Sequence, residues 1–175
     1  MQSIILLGYM CVGKTTVGRP LAQRLGGMFY DLDWYIAKRY RRSVLQIFAE
    51  DGEAKFRDLE RRMLHECAEF EDIVLALGGG TPCFFDNMAY INSVGRTFYL
   101  KASVDTIVEH LRLSKGERPL LTGKSPEELR QYVATQLAER ERYYAQAQHI
   151  IDVNVLDSFE KIDLVVQDIL DHIYA

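Results

Sequence analysis

The chain has 175 residues, a formal net charge of -4, and 48 % hydrophobic and 26 % charged residues. That length suits one domain with a substantial core; the acidic balance argues against nucleic acid as the main partner, and no apolar run nears the roughly 18 residues of a membrane span. Its three cysteines (Cys11, Cys67 and Cys83) are too scattered for a disulfide framework or a C-x-x-C metal site, and they fit a reduced, cytosolic compartment.

Met1 to Gly8 carries no basic stretch and is expected to be structure, not a signal peptide. Ser3-Ile4-Ile5-Leu6-Leu7 is an apolar, β-branched run of the kind buried in a parallel sheet. It leads into Gly8-Tyr9-Met10-Cys11-Val12-Gly13-Lys14-Thr15, which matches the phosphate-loop pattern G-x-x-x-x-G-K-[ST]. Val17, Leu21 and Leu25 then recur every four residues up to Gly26-Gly27, predicting a helix from about Lys14, with a kink at Pro20. Strand, glycine loop and helix in this order aim backbone N–H groups and a helix N-terminus at an anion, which a chance glycine turn would not do. Lys14 is placed to reach the β- and γ-phosphates of ATP, with the Thr15 hydroxyl on Mg²⁺. Gly8, Cys11, Val12, Gly13 and Thr16 complete the candidate nucleotide site.

Met28-Phe29-Tyr30 reads as a second strand ending in Asp31-Leu32-Asp33. Two carboxylates at i and i+2 on a strand share a side, and at its C-terminal end they face the ligand crevice of an open α/β sheet. One can serve Mg²⁺ and the other a substrate hydroxyl; a helix cap is the alternative for Asp33. Trp34 to Tyr40 is expected to be helical, and the basic run Lys38 to Arg42 is read as a charged helix end without a role. Ser43 is expected to cap a short helix carrying Val44, Leu45, Ile47 and Phe48. The next helix, from about Glu53 to Phe70, has one apolar stripe of Phe56, Leu59, Met63, Cys67 and Phe70. Arg57 and Glu60 flank it three residues apart; this spacing fits a surface salt bridge, or an arginine steadied by Glu60 and aimed at a ligand carboxylate.

Ile73 to Leu77 has the continuous apolar run of a central strand and ends in Gly78-Gly79-Gly80. Three glycines exceed what a turn needs and point to close approach of the backbone to a ligand, with a flexible connector as the alternative. Thr97 to Leu100 is a fourth strand, and Val104 to Leu113 a helix capped by Ser103. Ser114 to Lys124 is polar and basic, either an inert loop or a lid whose Arg118 meets the transferring phosphate. The Gly123-Lys124-Ser125 within it is a decoy, since no strand precedes it and Arg118 stands where the pattern needs glycine. Ser125-Pro126-Glu127-Glu128 is a capping-box helix start. On that helix Arg140 shares a stripe with Leu129, Val133, Leu137 and Tyr144, a register in which a guanidinium needs an anion from the protein or a ligand. Ile150 to Val153 is a fifth strand, and Asp157 opens a last helix with Ile162, Val165, Val166, Ile169 and Ile173 inward. The four histidines show no metal spacing and are read as structural. The alternation predicts an α/β fold, a five-stranded parallel sheet with helices on both faces.

With these elements in order, the sequence resembles the shikimate kinase family of P-loop proteins. The resemblance rests on the phosphate loop with Gly18-Arg19, Phe29 to Asp33, Ile47-Phe48 with Gly52-Glu53, and Phe56-Arg57 with Glu60. It continues through Gly78-Gly79-Gly80, Arg118-Pro119-Leu120-Leu121, and Arg140 four residues before Tyr144. It implies a three-layer P-loop kinase domain over 1–175, with a substrate-binding helical region over about 33–60 and a lid over about 112–124. The implied reaction is transfer of the γ-phosphoryl group of ATP to the 3-hydroxyl of shikimate, by a cytoplasmic monomer with no nucleic-acid or membrane partner.

Carried over by motif, Asp33 holds the ring hydroxyls and acts as base, and Asp31 joins Thr15 in the Mg²⁺ shell. Arg57 and Arg140 clamp the substrate carboxylate, with Glu60 orienting Arg57. The backbone of Gly78, Gly79 and Gly80 contacts substrate, Phe48 and Phe56 line its pocket, Lys14 and Arg118 stabilise the phosphoryl charge, and Arg112 flanks the adenine. The chain departs from the family where Cys11 and Val12 replace a glycine and a small residue, near Arg42 where a glycine is common, and after the fifth strand, where a proline is common. A gluconate or nucleotide kinase is the nearest rival. A GTPase switch would need an Asn-Lys-x-Asp pattern, and an idle binding module would not keep Lys14, Asp33 and Arg118.

Overall fold

A computed structural model describes residues 2–114, 122–154 and 156–175. The strands are β1 (Ser3–Leu7), β2 (Met28–Asp31), β3 (Ile73–Ala76), β4 (Gly95–Lys101) and β5 (His149–Asp152). They form one parallel sheet in the order β2-β3-β1-β4-β5. β1 and β3 are buried at every residue, as their unbroken apolar runs require, whereas the edge strand β5 buries only Ile151. Because every strand runs the same way, the segments that follow them gather along one edge, the usual ligand edge of such sheets.

The helices are α1 (Lys14–Leu25), α2 (Leu32–Tyr40), α3 (Val44–Asp51), α4 (Glu53–Ala68), α5 (Asn87–Val94), α6 (Val104–Leu113), α7 (Pro126–Tyr144) and α8 (Phe159–Tyr174). α1 runs continuously through Pro20 and stops at Gly26, whose φ of 69° is the left-handed cap glycine adopts without strain. Ser43, Ser103 and Ser125 cap α3, α6 and α7 as expected, so the decoy Gly123-Lys124-Ser125 is a helix start. α8 begins later than expected: Ser158 caps it, while Asp157 pairs with Lys161 at 2.8 Å.

Two elements between β3 and β4 escape the sequence reading, a 3-10 turn at Thr81–Cys83 and α5. α5 mixes Asn87, Met88, Ala89, Tyr90, Ile91, Asn92 and Ser93 without a clean apolar period. Tertiary contacts hold it instead: Met88 and Ile91 are buried, and the buried Asn87 amide donates to the Thr81 carbonyl at 2.8 Å. β4 also extends beyond its apolar centre, because parallel pairing with β1 runs from Ser3–Gly95 to Leu7–Tyr99.

Candidate active site

The phosphate loop leaves β1 with Gly8 at φ 143° and enters α1 through Gly13 at φ 99°, backbone that L side chains rarely adopt. A Cβ on Gly8 would lie 2.6 Å from the Leu100 carbonyl oxygen, and one on Gly13 2.5 Å from Leu156. Cys11 takes a left-handed φ of 62° without being glycine. Val12 is buried, so its side chain belongs to the core. The Lys14 ammonium donates to the carbonyls of Gly8 (2.8 Å) and Tyr9 (2.9 Å). Its burial lowers the pKa from the usual 10.5 to about 8, a shift opposed by the nearby charges of Asp33 and Asp31.

A cavity of about 570 Å³ opens on this loop, lined among others by Lys14, Thr15, Thr16, Asp31, Asp33 and Gly78. Asp31 and Asp33 both reach it, but not as two residues of one strand. β2 ends at Asp31, whose carboxylate caps α2 by accepting the Trp34 N–H at 3.0 Å, so Asp33 belongs to the first turn of the helix. The expected cap is therefore Asp31, not Asp33. Burial raises the Asp33 pKa to about 6, helped by the charges of Asp31 and Glu60 and opposed by Lys14 and Arg57.

The glycine triplet after β3 is more than a flexible connector: each glycine leaves room for one charged side chain. A Cβ on Gly78 would sit 2.9 Å from a carboxylate oxygen of Asp33, one on Gly79 3.3 Å from Nη1 of Arg140, and one on Gly80 2.6 Å from Nη2 of Arg57. Asp33 from α2, Arg140 from α7 and Arg57 from α4 thus converge on three consecutive peptides. Gly80→Ala should push the Arg57 guanidinium aside, because that flexible end is what the new methyl meets. We expect a several-fold rise in the KM of the acceptor with a far smaller change in ATP KM, measured by steady-state kinetics.

Arg57 and Glu60 do not form a surface salt bridge. Their side chains are 11 % and 1 % exposed and lie 2.9 Å apart, and the Thr81 hydroxyl donates to the second Glu60 oxygen at 2.7 Å. The rings of Phe48, Phe56 and Phe84 surround the guanidinium, with centroids 5.5, 5.3 and 4.1 Å from its central carbon. Phe56 is buried, so it holds Arg57 and does not face an open pocket as the resemblance implied. Arg140 lies over the Tyr9 ring at 5.5 Å, and Tyr144 donates its hydroxyl to the Gly79 carbonyl. Among the described residues Arg140 makes no carboxylate salt bridge.

Sequence reasoning missed Phe84, Thr81 and Tyr144 as supports, and it missed His110, which lines the same cavity. Of these only Tyr144 stands in a stretch that carried the resemblance, there as a spacing mark for Arg140, and each reaches the site through tertiary contact. Arg112 is exposed and lines a separate cleft with Asp105, Glu109 and Arg130, so the structure does not bring it to the phosphate-loop cavity. Arg118 and most of the expected lid lie outside the described residues, as does Val155.

Mg²⁺ demands few protein ligands when it also binds substrate phosphates. Asp31 and Thr15 line the cavity beside Lys14, and the Asp31 cap contact uses Oδ1, leaving Oδ2 for a hydrated ion. No cluster of three or more His, Cys, Asp or Glu side chains among the described residues offers a fuller cage. The residues fit a nucleotide-borne Mg²⁺.

Comparison with known proteins points to one family. A family model described as shikimate kinase matches residues 10–174. Shikimate kinase of Parabacteroides distasonis is 52 % identical over 152 residues, covering 87 % of this chain and 88 % of that protein. That of Bacteroides thetaiotaomicron is 46 % identical over 95 % of both chains. A crystal structure of shikimate kinase from Bacteroides thetaiotaomicron superposes with a TM-score of 0.96 at 43 % identity, covering 99 % of each chain. Shikimate kinase from Acinetobacter baumannii in complex with shikimate gives a TM-score of 0.84 at 32 % identity, over 99 % of this chain and 93 % of that one.

Proposed function

The chain belongs to the shikimate kinase family and is an ATP-dependent kinase acting on shikimate; on that premise we propose which of its residues carry the transfer to the 3-hydroxyl. The supporting observation is the stacking of Asp33, Arg140 and Arg57 over Gly78, Gly79 and Gly80, beside a loop that holds Lys14. Arg57 and Arg140 clamp the acceptor carboxylate, since two guanidiniums are the strongest match to a carboxylate. The same clamp sets the acceptor hydroxyl against Asp33, which takes its proton. Lys14 turns from the loop carbonyls to the phosphates and offsets the charge that develops during transfer. Thr15 and Asp31 would hold Mg²⁺, which would offset charge on the phosphates. Arg118 adds a second positive charge against the transferred phosphoryl group. The four recurring requirements of phosphoryl transfer (cradle, metal, base and cation) are then all supplied.

We further propose one kinase unit over 1–175, acting as a cytoplasmic monomer without nucleic acid or membrane. No helix among the described residues is long and apolar enough to cross a membrane.

The deciding experiment is ADP release from Mg·ATP with shikimate, gluconate and nucleoside monophosphates compared side by side. Turnover with shikimate alone is expected; an equal rate with nucleoside monophosphates, which carry no carboxylate, would sink the clamp. A second expected result is a bell-shaped kcat/KM. Asp33 must be ionised, so activity falls as pH drops through about 6. Lys14 must be charged, so activity falls as pH rises through about 8. A profile flat from pH 5 to 9 would remove both assignments.

A further inference from the structure

His110 lies on α6, 99 residues from the phosphate loop, yet its Nδ1 is 2.8 Å from the Cys11 carbonyl oxygen. A carbonyl only accepts, so Nδ1 carries the proton and donates. Cys11 is the loop residue held at φ 62°, a conformation glycine adopts freely and a cysteine does not. The Cys11 carbonyl and the Val12 N–H belong to one planar trans peptide and point in opposite directions. Whatever anchors the oxygen therefore also sets the direction of the N–H, which is the group such a loop turns toward phosphate. Both His110 and Cys11 line the cavity that opens on this loop.

We infer that His110 is a positioning residue for the nucleotide, its imidazole holding the Cys11–Val12 peptide in the turn that a glycine at position 11 would adopt unaided. The inference rests on the loop binding ATP, and it adds a residue that neither the loop pattern nor the resemblance assigns. Its action is through the loop backbone, not through contact with the transferred group.

The test is a comparison in the full chain of His110→Ala, His110→Asn, Cys11→Gly and the double variant Cys11→Gly/His110→Ala. The KM of ATP, the KM of shikimate, kcat and thermal unfolding are measured for each. His110→Ala should raise the ATP KM roughly tenfold, with shikimate KM and unfolding temperature little changed, since it removes one directed hydrogen bond. Asparagine, whose amide N–H can donate from near the same place, should recover most of the loss. In the Cys11→Gly background the alanine substitution should cost at most about twofold, because glycine needs no tether. An unchanged ATP KM in His110→Ala would overturn the inference, as would a tenfold loss of equal size in both backgrounds. A general fall in stability with both KM values moved together, unrescued by asparagine, would overturn it too. Turnover by the unsubstituted protein tests the ATP site itself, separately from these ratios.

Discussion

Asp33→Asn should cut kcat by roughly 10²–10⁴-fold, the usual worth of a positioned base, while ATP binding survives. The asparagine keeps the shape above Gly78 but cannot take the acceptor proton. The same substitution should stabilise the fold at neutral and alkaline pH. Burial raises the Asp33 pKa from 3.8 to about 6, so the folded state favours the protonated acid. That contribution is intact below about pH 4 and is lost as pH rises through about 6, where the charge must be borne inside the protein. The full shift corresponds to about 3 kcal/mol. That net shift already includes the opposing attraction of Lys14 and Arg57; the asparagine amide has its own cost of burial, so a gain of about 1–2 kcal/mol at pH 8 is expected. Thermal unfolding should rise by roughly 2–8 °C at pH 8 and be unchanged near pH 4. Near-normal turnover would refute the catalytic role; a lower unfolding temperature at pH 8 would refute the electrostatic account.

The two arginines should respond differently to truncation, although both are placed on the same carboxylate. Arg57→Ala leaves Glu60, 1 % exposed, with only the Thr81 hydroxyl among the described residues to answer its charge. Removing one partner of such a pair costs about 3–5 kcal/mol, so folding stability and shikimate binding should fall together. Arg140 has no carboxylate partner among the described residues and is half-buried over Tyr9. Arg140→Ala should raise the shikimate KM by roughly 10- to 100-fold, the worth of a hydrogen bond to a charged group, with stability nearly unchanged. Chemical denaturation and steady-state kinetics on both variants separate the cases. Equal loss of stability in the two would mean that Arg140 has a structural anion after all, and equal loss of ATP and shikimate binding in Arg140→Ala would point to misfolding.

The helix signals that are local in chemistry could be read directly. Ser43, Ser103 and Ser125 cap the helices that follow them because a serine oxygen answers backbone N–H groups a few residues away. The phosphate loop is equally local, since its glycines, lysine and threonine act within one turn of chain. α5 was not legible: its stability comes from Asn87, Met88 and Ile91 meeting partners elsewhere, and no periodicity records that. Asp31 and Asp33 illustrate a boundary case. Their spacing suggested one strand face, but a single hydrogen bond from the Trp34 N–H to Asp31 starts the helix two residues early.

The sequence by itself determined the fold class, the phosphate site, the five strands and the residue types of a phosphoryl-transfer centre. These depend on apolar period and on short-range backbone chemistry, which the order of residues states outright. Only the tertiary structure decided that Glu60 is buried beneath Arg57, that three rings enclose that arginine, and that each glycine after β3 makes space for a different charged side chain. It also decided that His110 reaches Cys11 while Arg112 turns to another cleft. Such facts rest on distances between residues far apart in the chain, and burial and close approach exist only once the sheet has brought α2, α4, α6 and α7 to its one ligand edge.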